Sequence, residues 1–277
     1  MKKPPLDWSR VLAISGIHAG CLLAPFYLSP EAVLLTFVLW YICGCLGITL
    51  GYHRLLTHRS FETYRWLRYT LAILGTLNWQ GGPIRWVGTH RVHHQYSDEF
   101  GDPHTPKHGF FWAHILWTLT KDPRASEYRA AANERDLGRD TRMYYIDKYF
   151  WAFQIPLVVL LYFVGGIPAI VWGVFVRMTV GYHVTWLVNS ATHMWGYRNF
   201  PTRDQSRNNW WVALLSFGEG WHNNHHGQPN SAAHGMRWFE IDLTYQTIKL
   251  LELLGLAWKV REPNLAELDA HLHPQNL

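Results

Sequence analysis

Long uncharged runs alternate with polar, aromatic segments along this chain. Residues 11–30 and 32–53 contain no Asp, Glu, Lys or Arg, and neither do 149–176 and 178–197. A helix needs about 20 apolar residues to cross the hydrocarbon of a bilayer. The runs therefore predict four transmembrane helices, at about 11–28, 32–52, 149–164 and 167–190. "SPE" (Ser29 to Glu31) turns the chain inside the first pair and "GGIP" (Gly165 to Pro168) inside the second. The remaining segments, 53–148 and 192–277, form a cap of helices and loops. Within it, Tyr64 to Trp79 reads as an amphipathic helix lying in the membrane interface, and Lys121 to Asp140 as solvated helix and loop. The reading is a single domain over 1–277, an all-α membrane protein.

Charge gives the chain an orientation. The two turns carry no Lys or Arg, whereas His53 to Lys148 carries 14. By the positive-inside tendency, both termini and both cap segments face the cytoplasm. The N-terminal "MKKPPLDWSR" is too polar to open a signal peptide, so the first apolar run is read as retained. A net charge of +5 suits an anionic membrane surface, and no basic cluster with interleaved aromatics suggests nucleic acid. Cys21, Cys43 and Cys45 lie in apolar stretches without C-x-x-C spacing, which argues against disulfide or zinc roles.

Of 17 histidines, eight stand in three tight boxes: "HRLLTH" (His53, His58), "HRVHH" (His90, His93, His94) and "HNNHH" (His222, His225, His226). A ninth, His193, closes "NSATH". On a helix, positions i, i+3 and i+4 share a face. Each H-x-x-H-H box thus turns three imidazoles to one side, more than one metal takes from one turn. Two metals side by side fit, with neighbouring histidines serving different ions. The i, i+5 pair His53 and His58 diverges on a regular α-helix, which fits a split between the two ions or a helix end. All four features fall on the cytoplasmic side of the expected topology. His18, His104, His108, His114, His183, His234, His271 and His273 are read as structural.

No box contains the H-E-x-x-H of a zinc protease, and no cysteine stands near to build a structural zinc site. Nitrogen-rich ligation of two redox metals beside a membrane points to iron and O₂ chemistry. Metal transport and haem binding are disfavoured because the boxes lie at or beyond the span exits, not within the spans.

"GITLGYHRLLTHRSFE", "WVGTHRVHH", "DPH", "TWLVNSATHMWGYR" and "GEGWHNNHH" occur in this order. With them the chain resembles the integral-membrane fatty acyl desaturases of the Δ9 (stearoyl) branch over nearly its whole length. The resemblance implies a four-helix stem and a cytosolic cap holding two non-haem irons on His53, His58, His90, His93, His94, His193, His222, His225 and His226, with Asn189 reaching one iron through water. Zinc can take the place of iron in overexpressed protein. The implied reaction removes two hydrogens from C9 and C10 of a saturated acyl chain, with O₂ as co-substrate. The two electrons come from a separate carrier, a ferredoxin or a cytochrome b₅-type protein with its reductase. A fatty acyl hydroxylase or a related di-iron oxygenase is the alternative on the same boxes. Gln80, Trp86 and Thr185 match positions that shape the bend of the acyl tunnel, and Tyr41 and Cys45 match positions near its closed end. In the animal enzymes a charged set holds coenzyme A; the corresponding residues here are Gly81, Arg85, Gly88, Lys121 and Asp122, several of them different in charge or without a side chain. A chain esterified in a membrane lipid therefore stands beside the CoA ester as the expected substrate.

Overall fold

The computed structural model describes residues 4–121 and 137–272. Asp122, His273 and most of the stretch expected as solvated helix and loop lie outside the described residues.

The protein is built from helices, as the uncharged runs require. Helix α1 (Trp8–Gly20) is capped by the Asp7 carboxylate, which accepts from the Arg10 amide, and runs on as a 3₁₀ segment over Cys21–Tyr27. Helix α2 (Pro30–Trp40) starts on Ser29, whose hydroxyl accepts from the Ala32 amide. That pairing of N-cap serine and first-turn proline is what "SPE" encodes. Beyond Trp40 the winding loosens into a π-helix over Tyr41–Thr57, so this helical run passes the expected end at Tyr52 and carries His53 with it.

Helix α3 (Arg65–Thr76) and helix α4 (Pro83–Tyr96) follow, in the segment expected as the cap. The periodicity of α3 is the expected one, and its apolar side, with Leu67, Leu71 and Ala72, is buried in the core that also holds Leu50 and Leu55. The π-helix and α3 touch backbone to backbone. A Cβ on Gly47 would sit 2.5 Å from the Gly75 amide nitrogen, which explains glycine at that crossing. The short α5 (Phe110–His114) and α6 (Thr141–Lys148) follow.

The second apolar hairpin runs from Phe150 to His193 through α7 (Gln154–Ile170), a π-turn (Val171–Val176) and α8 (Arg177–Ser190). Gly165 and Gly166 leave helical geometry inside it, Gly166 at φ +64°. Leu161 and Gly173 would be about 18 Å apart on a straight helix. A Cβ at Gly173 would instead meet the Leu161 side chain at 2.9 Å, so the chain reverses at the glycine pair. Among the described residues, three helical stretches are long and apolar enough to cross a membrane: Trp8–Tyr27, Pro30–Thr57 and Phe150–His193.

The C-terminal part supplies α9 (Trp210–Leu215), α10 (His222–Gly227), α11 (Leu243–Leu253) and α12 (Leu265–Leu272). A two-stranded antiparallel ribbon, β1 (Glu62–Thr63) with β2 (Ala257–Trp258), fastens the chain leaving the π-helix to the chain leaving α11.

Candidate metal centre

The histidine boxes converge into two adjoining groups. His53, His58, His90, His94 and His225 bring five ring nitrogens within 4.8 Å of one another, and His93, His193, His222 and His226 bring four. Each H-x-x-H-H box is shared. On α4, His90 and His94 face the first group and His93 the second; on α10, His222 and His226 face the second and His225 the first. The i, i+4 pair keeps one side of its helix while the i+3 residue is rotated away.

The "HRLLTH" pair behaves differently from the α-helical expectation. His53 and His58 join the same group and are not split between the two. The cause is the winding: with i→i+5 bonding, His58 donates its amide to the His53 carbonyl at 3.1 Å, which stacks residues five apart on one side.

The inward-facing atoms are Nε2. In the five-membered group His225 and His94 approach to 2.9 Å, His94 and His90 to 3.0 Å, His53 and His225 to 3.1 Å, and His90 and His58 to 3.2 Å. In the four-membered group the Nε2 atoms of His222 and His193 lie 3.1 Å apart, while those of His93 and His226 are buried without a partner.

Several outer nitrogens meet carboxylates. His53 Nδ1 lies 2.5 Å from Glu219, His93 Nδ1 3.1 Å from Asp102, His193 Nδ1 3.0 Å from Asp98, and His226 Nδ1 2.5 Å from Asp204. A carboxylate on Nδ1–H leaves the Nε2 lone pair pointing inward, the arrangement that orients a metal-binding imidazole. Lone pairs crowded into a buried space without a shared cation would go unsatisfied, so the residues fit two metal ions of a nitrogen-loving kind.

Electrostatics hold six of the nine rings neutral. Burial, reinforced by neighbouring imidazoles, pushes His58, His90, His94, His222 and His225 well below their ordinary range. Burial also takes His226 down to about 4, against the pull of Asp204. His93 is the exception: burial opposes its charge, but Asp102 outweighs it and raises the group.

A ring of residues outside the boxes supports the centre. Glu219 is fixed by Arg54, a fully buried guanidinium that donates to Glu219 at 3.0 Å, Asp242 at 2.9 Å and the Ala232 carbonyl at 2.6 Å. His234 lies 3.4 Å from Glu219 on one flank, and His104 3.6 Å from Asp102 on the other. Both, read from the sequence as structural, border the centre. Asn223 accepts the amides of Asn199 and Phe200, and Asn224 donates to Glu240 at 2.7 Å, so the two asparagines inside "HNNHH" anchor α10. The carboxylates were findable: Asp98 and Asp102 follow the second box closely, and Glu219 precedes the third by three residues.

A narrow, mainly apolar cavity abuts both groups. It is lined by His53, His90, His93 and His222, by Gln80, Trp86, Thr185 and Asn189, and further on by Ile48, Gly44, Trp40 and Phe217. The three bend positions are joined: Gln80 donates to Thr185 Oγ1 at 2.9 Å and accepts from Trp86 Nε1 at 3.3 Å. Tyr41 and Cys45 are not among the lining residues. The Tyr41 hydroxyl pairs with Thr247 at 2.9 Å, and the buried Cys45 thiol lies 3.6 Å from Thr244, both on α11. A second cavity, of about 330 Å³, lies beyond Gln80, Trp86 and Thr185. Its walls include Ser9, Arg10 and Ala13 of α1 and Phe150 and Trp151 at the entry to α7.

A largely helical chain with long apolar stretches and two carboxylate-braced histidine groups beside an apolar cavity defines a membrane enzyme of the histidine-box class. The profile of the fatty acid desaturase family matches residues 32–255, and the chain belongs to that family; it is an oxidoreductase. It is 50% identical to an sn-1 stearoyl-lipid 9-desaturase of Anabaena variabilis over 94% of this chain and 95% of the relative. It is 46% identical to an sn-2 palmitoyl-lipid 9-desaturase of Nostoc sp. (93% and 91% covered) and 44% identical to an acyl-CoA C20 Δ5-desaturase of Anemone leveillei (93% and 83%).

Proposed function

We propose that the protein introduces the Δ9 double bond into a saturated acyl chain carried by a membrane glycerolipid. The reading rests on one juxtaposition: two histidine groups, five and four strong, at the wall of a narrow apolar cavity. His53, His58, His90, His94 and His225 hold one iron. His93, His193, His222 and His226 would hold the other, and Asn189 would reach one of the two through water. Bound iron supplies the O₂ activation that an unactivated methylene requires, since no acid or base of the protein could break such a C–H bond.

The chain's own residues do the rest. Asp98, Asp102, Asp204 and Glu219 orient the imidazoles. Gln80, Trp86 and Thr185 bend the acyl chain so that C9 and C10 lie beside the centre. The apolar walls exclude water. The balance is –CH₂–CH₂– with O₂, two electrons and two protons giving –CH=CH– and two waters, so the electrons must come from a ferredoxin or b₅-type carrier.

The lipid-linked form is favoured because the outer cavity is walled by the ends of two apolar stretches, α1 and α7, where a bilayer lipid arrives. In this reading the chain crosses the bilayer four times: with α1, with α2 and its π-helix, and with the two arms of the hairpin reversing at Gly165. The cap and both termini then face the cytoplasm, where the Lys and Arg residues concentrate.

Expression in a host without unsaturated fatty acids, with the double bond located by mass spectrometry, tests the reaction. A cis-Δ9 bond in glycerolipids is expected; a hydroxylated chain would overturn the reading. Purified protein with O₂ and saturated lipid should be inert until carrier and reductase are added, and repeated turnover without them would remove the need for a carrier. Proteoliposomes offered stearoyl lipid or stearoyl-CoA separate the two substrate forms.

A further inference from the structure

The sequence places an interfacial helix at Tyr64 to Trp79, but α3 buries its apolar side in the core. It is α11 that turns a row of leucines to the outside. We infer that α11 (Leu243–Leu253) lies in the plane of the membrane, with its leucine face in the hydrocarbon of the cytoplasmic leaflet and its charged face in water. The partner of this surface is the bilayer itself. The inference rests on the four-span placement proposed above.

The helix has three distinct sides. At about 100° per residue, Leu243, Leu250 and the C-cap residue Leu254 fall within about 40° of one another. All three are exposed, Leu254 to 61%, and Leu253 beside them to 82%. Tyr245, Lys249 and Glu252 stand about half a turn away. There the charges are paired: Lys249 Nζ lies 2.5 Å from Glu252 and 3.1 Å from Glu262, and the Tyr245 hydroxyl donates to Glu262. On the third side Thr244, Thr247 and Ile248 are buried. A surface helix in water turns its leucines to the core and its polar residues out. Here two threonines are turned in and four leucines out, with charges opposite the leucine row, the pattern of a helix lying in the interface.

The neighbours of α11 set its depth. Thr247 Oγ1 pairs with the Tyr41 hydroxyl at 2.9 Å, and Thr244 Oγ1 with Thr49 Oγ1 at 2.7 Å and the Cys45 thiol at 3.6 Å. Tyr41 and Cys45 follow Pro30 by 11 and 15 residues. That is about 16 and 22 Å along a helix axis. With the turn at Ser29 on the far surface, both levels fall inside a hydrocarbon layer about 30 Å thick. The outward side of a helix fastened there meets lipid. The apolar surface is continuous with that of the span: Phe37, one turn before Tyr41 on α2, is 57% exposed, and Ile241 is exposed just ahead of α11.

This seat bears on the metal centre. Asp242 caps α11 with one carboxylate oxygen, which accepts from the Tyr245 amide at 2.9 Å; the other accepts from Arg54 at 2.9 Å. Arg54 in turn holds Glu219 against His53. A helix resting in lipid is thus the outer anchor of the network that aims a histidine of the first group.

The test uses the full chain in vesicles of unsaturated phosphatidylcholine. Spin labels are placed singly through Leu250→Cys, Leu254→Cys and Glu252→Cys, and the parent gives the background of Cys21, Cys43 and Cys45. Collision with O₂, which concentrates in hydrocarbon, is read against collision with a water-soluble nickel chelate. The ratio of the two should be several-fold higher for Leu250→Cys and Leu254→Cys than for Glu252→Cys. It should approach that of Phe37→Cys on α2, while Asp269→Cys, exposed on α12, gives the water value. Water values at both leucine sites overturn the inference. Poor access to both reagents, with spin–spin broadening that fades on mixing with unlabelled protein, also overturns it, because a second copy then covers the face. A water value for Phe37→Cys refutes the four-span placement, whereas a lipid value there with water values on α11 refutes the seating of α11 alone. The parent gives an independent reading without substitution: a phosphatidylcholine carrying a diazirine in its acyl chain should label the peptide containing Leu250 and Leu254. Labelling of α2 without that peptide overturns the inference.

Discussion

Glu219 carries more of the site than any residue outside the histidine boxes. One carboxylate oxygen faces His53 and His234 while the other accepts from Arg54, so removing its charge frees an imidazole and strands a buried guanidinium. Glu219→Gln should lower iron content and desaturation by about 10–100-fold, the usual scale for losing the partner of a metal-binding histidine. Metal analysis and product yield on the same preparation check this; parent-level iron would make the carboxylate a packing group. His93→Ala should abolish activity while the protein still inserts, because the stem is built without it. At this scale the boxes were legible, since i, i+3, i+4 spacing survives any packing. His104 and His234 were not, because only the tertiary approach of Asp102 and Glu219 sets them beside the centre.

Winding decides what each element presents. The sequence marks Tyr41 to Thr57 as apolar and helical, but nothing in its composition announces π geometry, and the change of pitch moves whole faces. It brings His58 under His53, turns Gly44 to the cavity and leaves Tyr41 and Cys45 against α11. The helical runs themselves were legible because burial without charge leaves no other structure for so long a segment. The crossing of this element with α3 offers a test. Gly47→Val would drive a side chain into the Gly75 backbone, so it should cost about 1–3 kcal/mol or more of stability. Thermal unfolding in detergent should show a clear drop in Tm, whereas Gly16→Ala, with open space around it, should show almost none.

For the molecule as a whole, many neutral buried histidines give stability a pH dependence of definite sign. An unfolded chain takes up protons on histidine below about pH 6.5. The folded, metal-free protein does not protonate His226 until about 4 or His104 until about 3. Between those limits the unfolded state binds more protons, so stability falls as pH falls, by up to about 1.4 kcal/mol per pH unit for each such group. His93, raised by Asp102, opposes the trend as a single group among several. The Tm of metal-free protein should therefore decline from pH 7 to pH 5; a flat profile would mean the rings are solvated. The helical character of the apolar runs and the breaks at Ser29 and Gly165 were readable from the sequence. The joining of cap to stem through Arg54, Asp242 and the β1–β2 ribbon was not, because those partners are nearly 200 residues apart in sequence.

Two ions held by groups that share α4 and α10 crosswise should load cooperatively. An ion captured by the first group would pin His90, His94 and His225 and so order both helices; His93, His222 and His226 would then be in place for the second ion. The second capture no longer has to order the chain. Protein titrated with less than its full complement of iron should partition into molecules holding two ions and molecules holding none, with few in between. Such a catalyst has no half-strength form, and its activity should track the count of filled pairs, not the total iron bound.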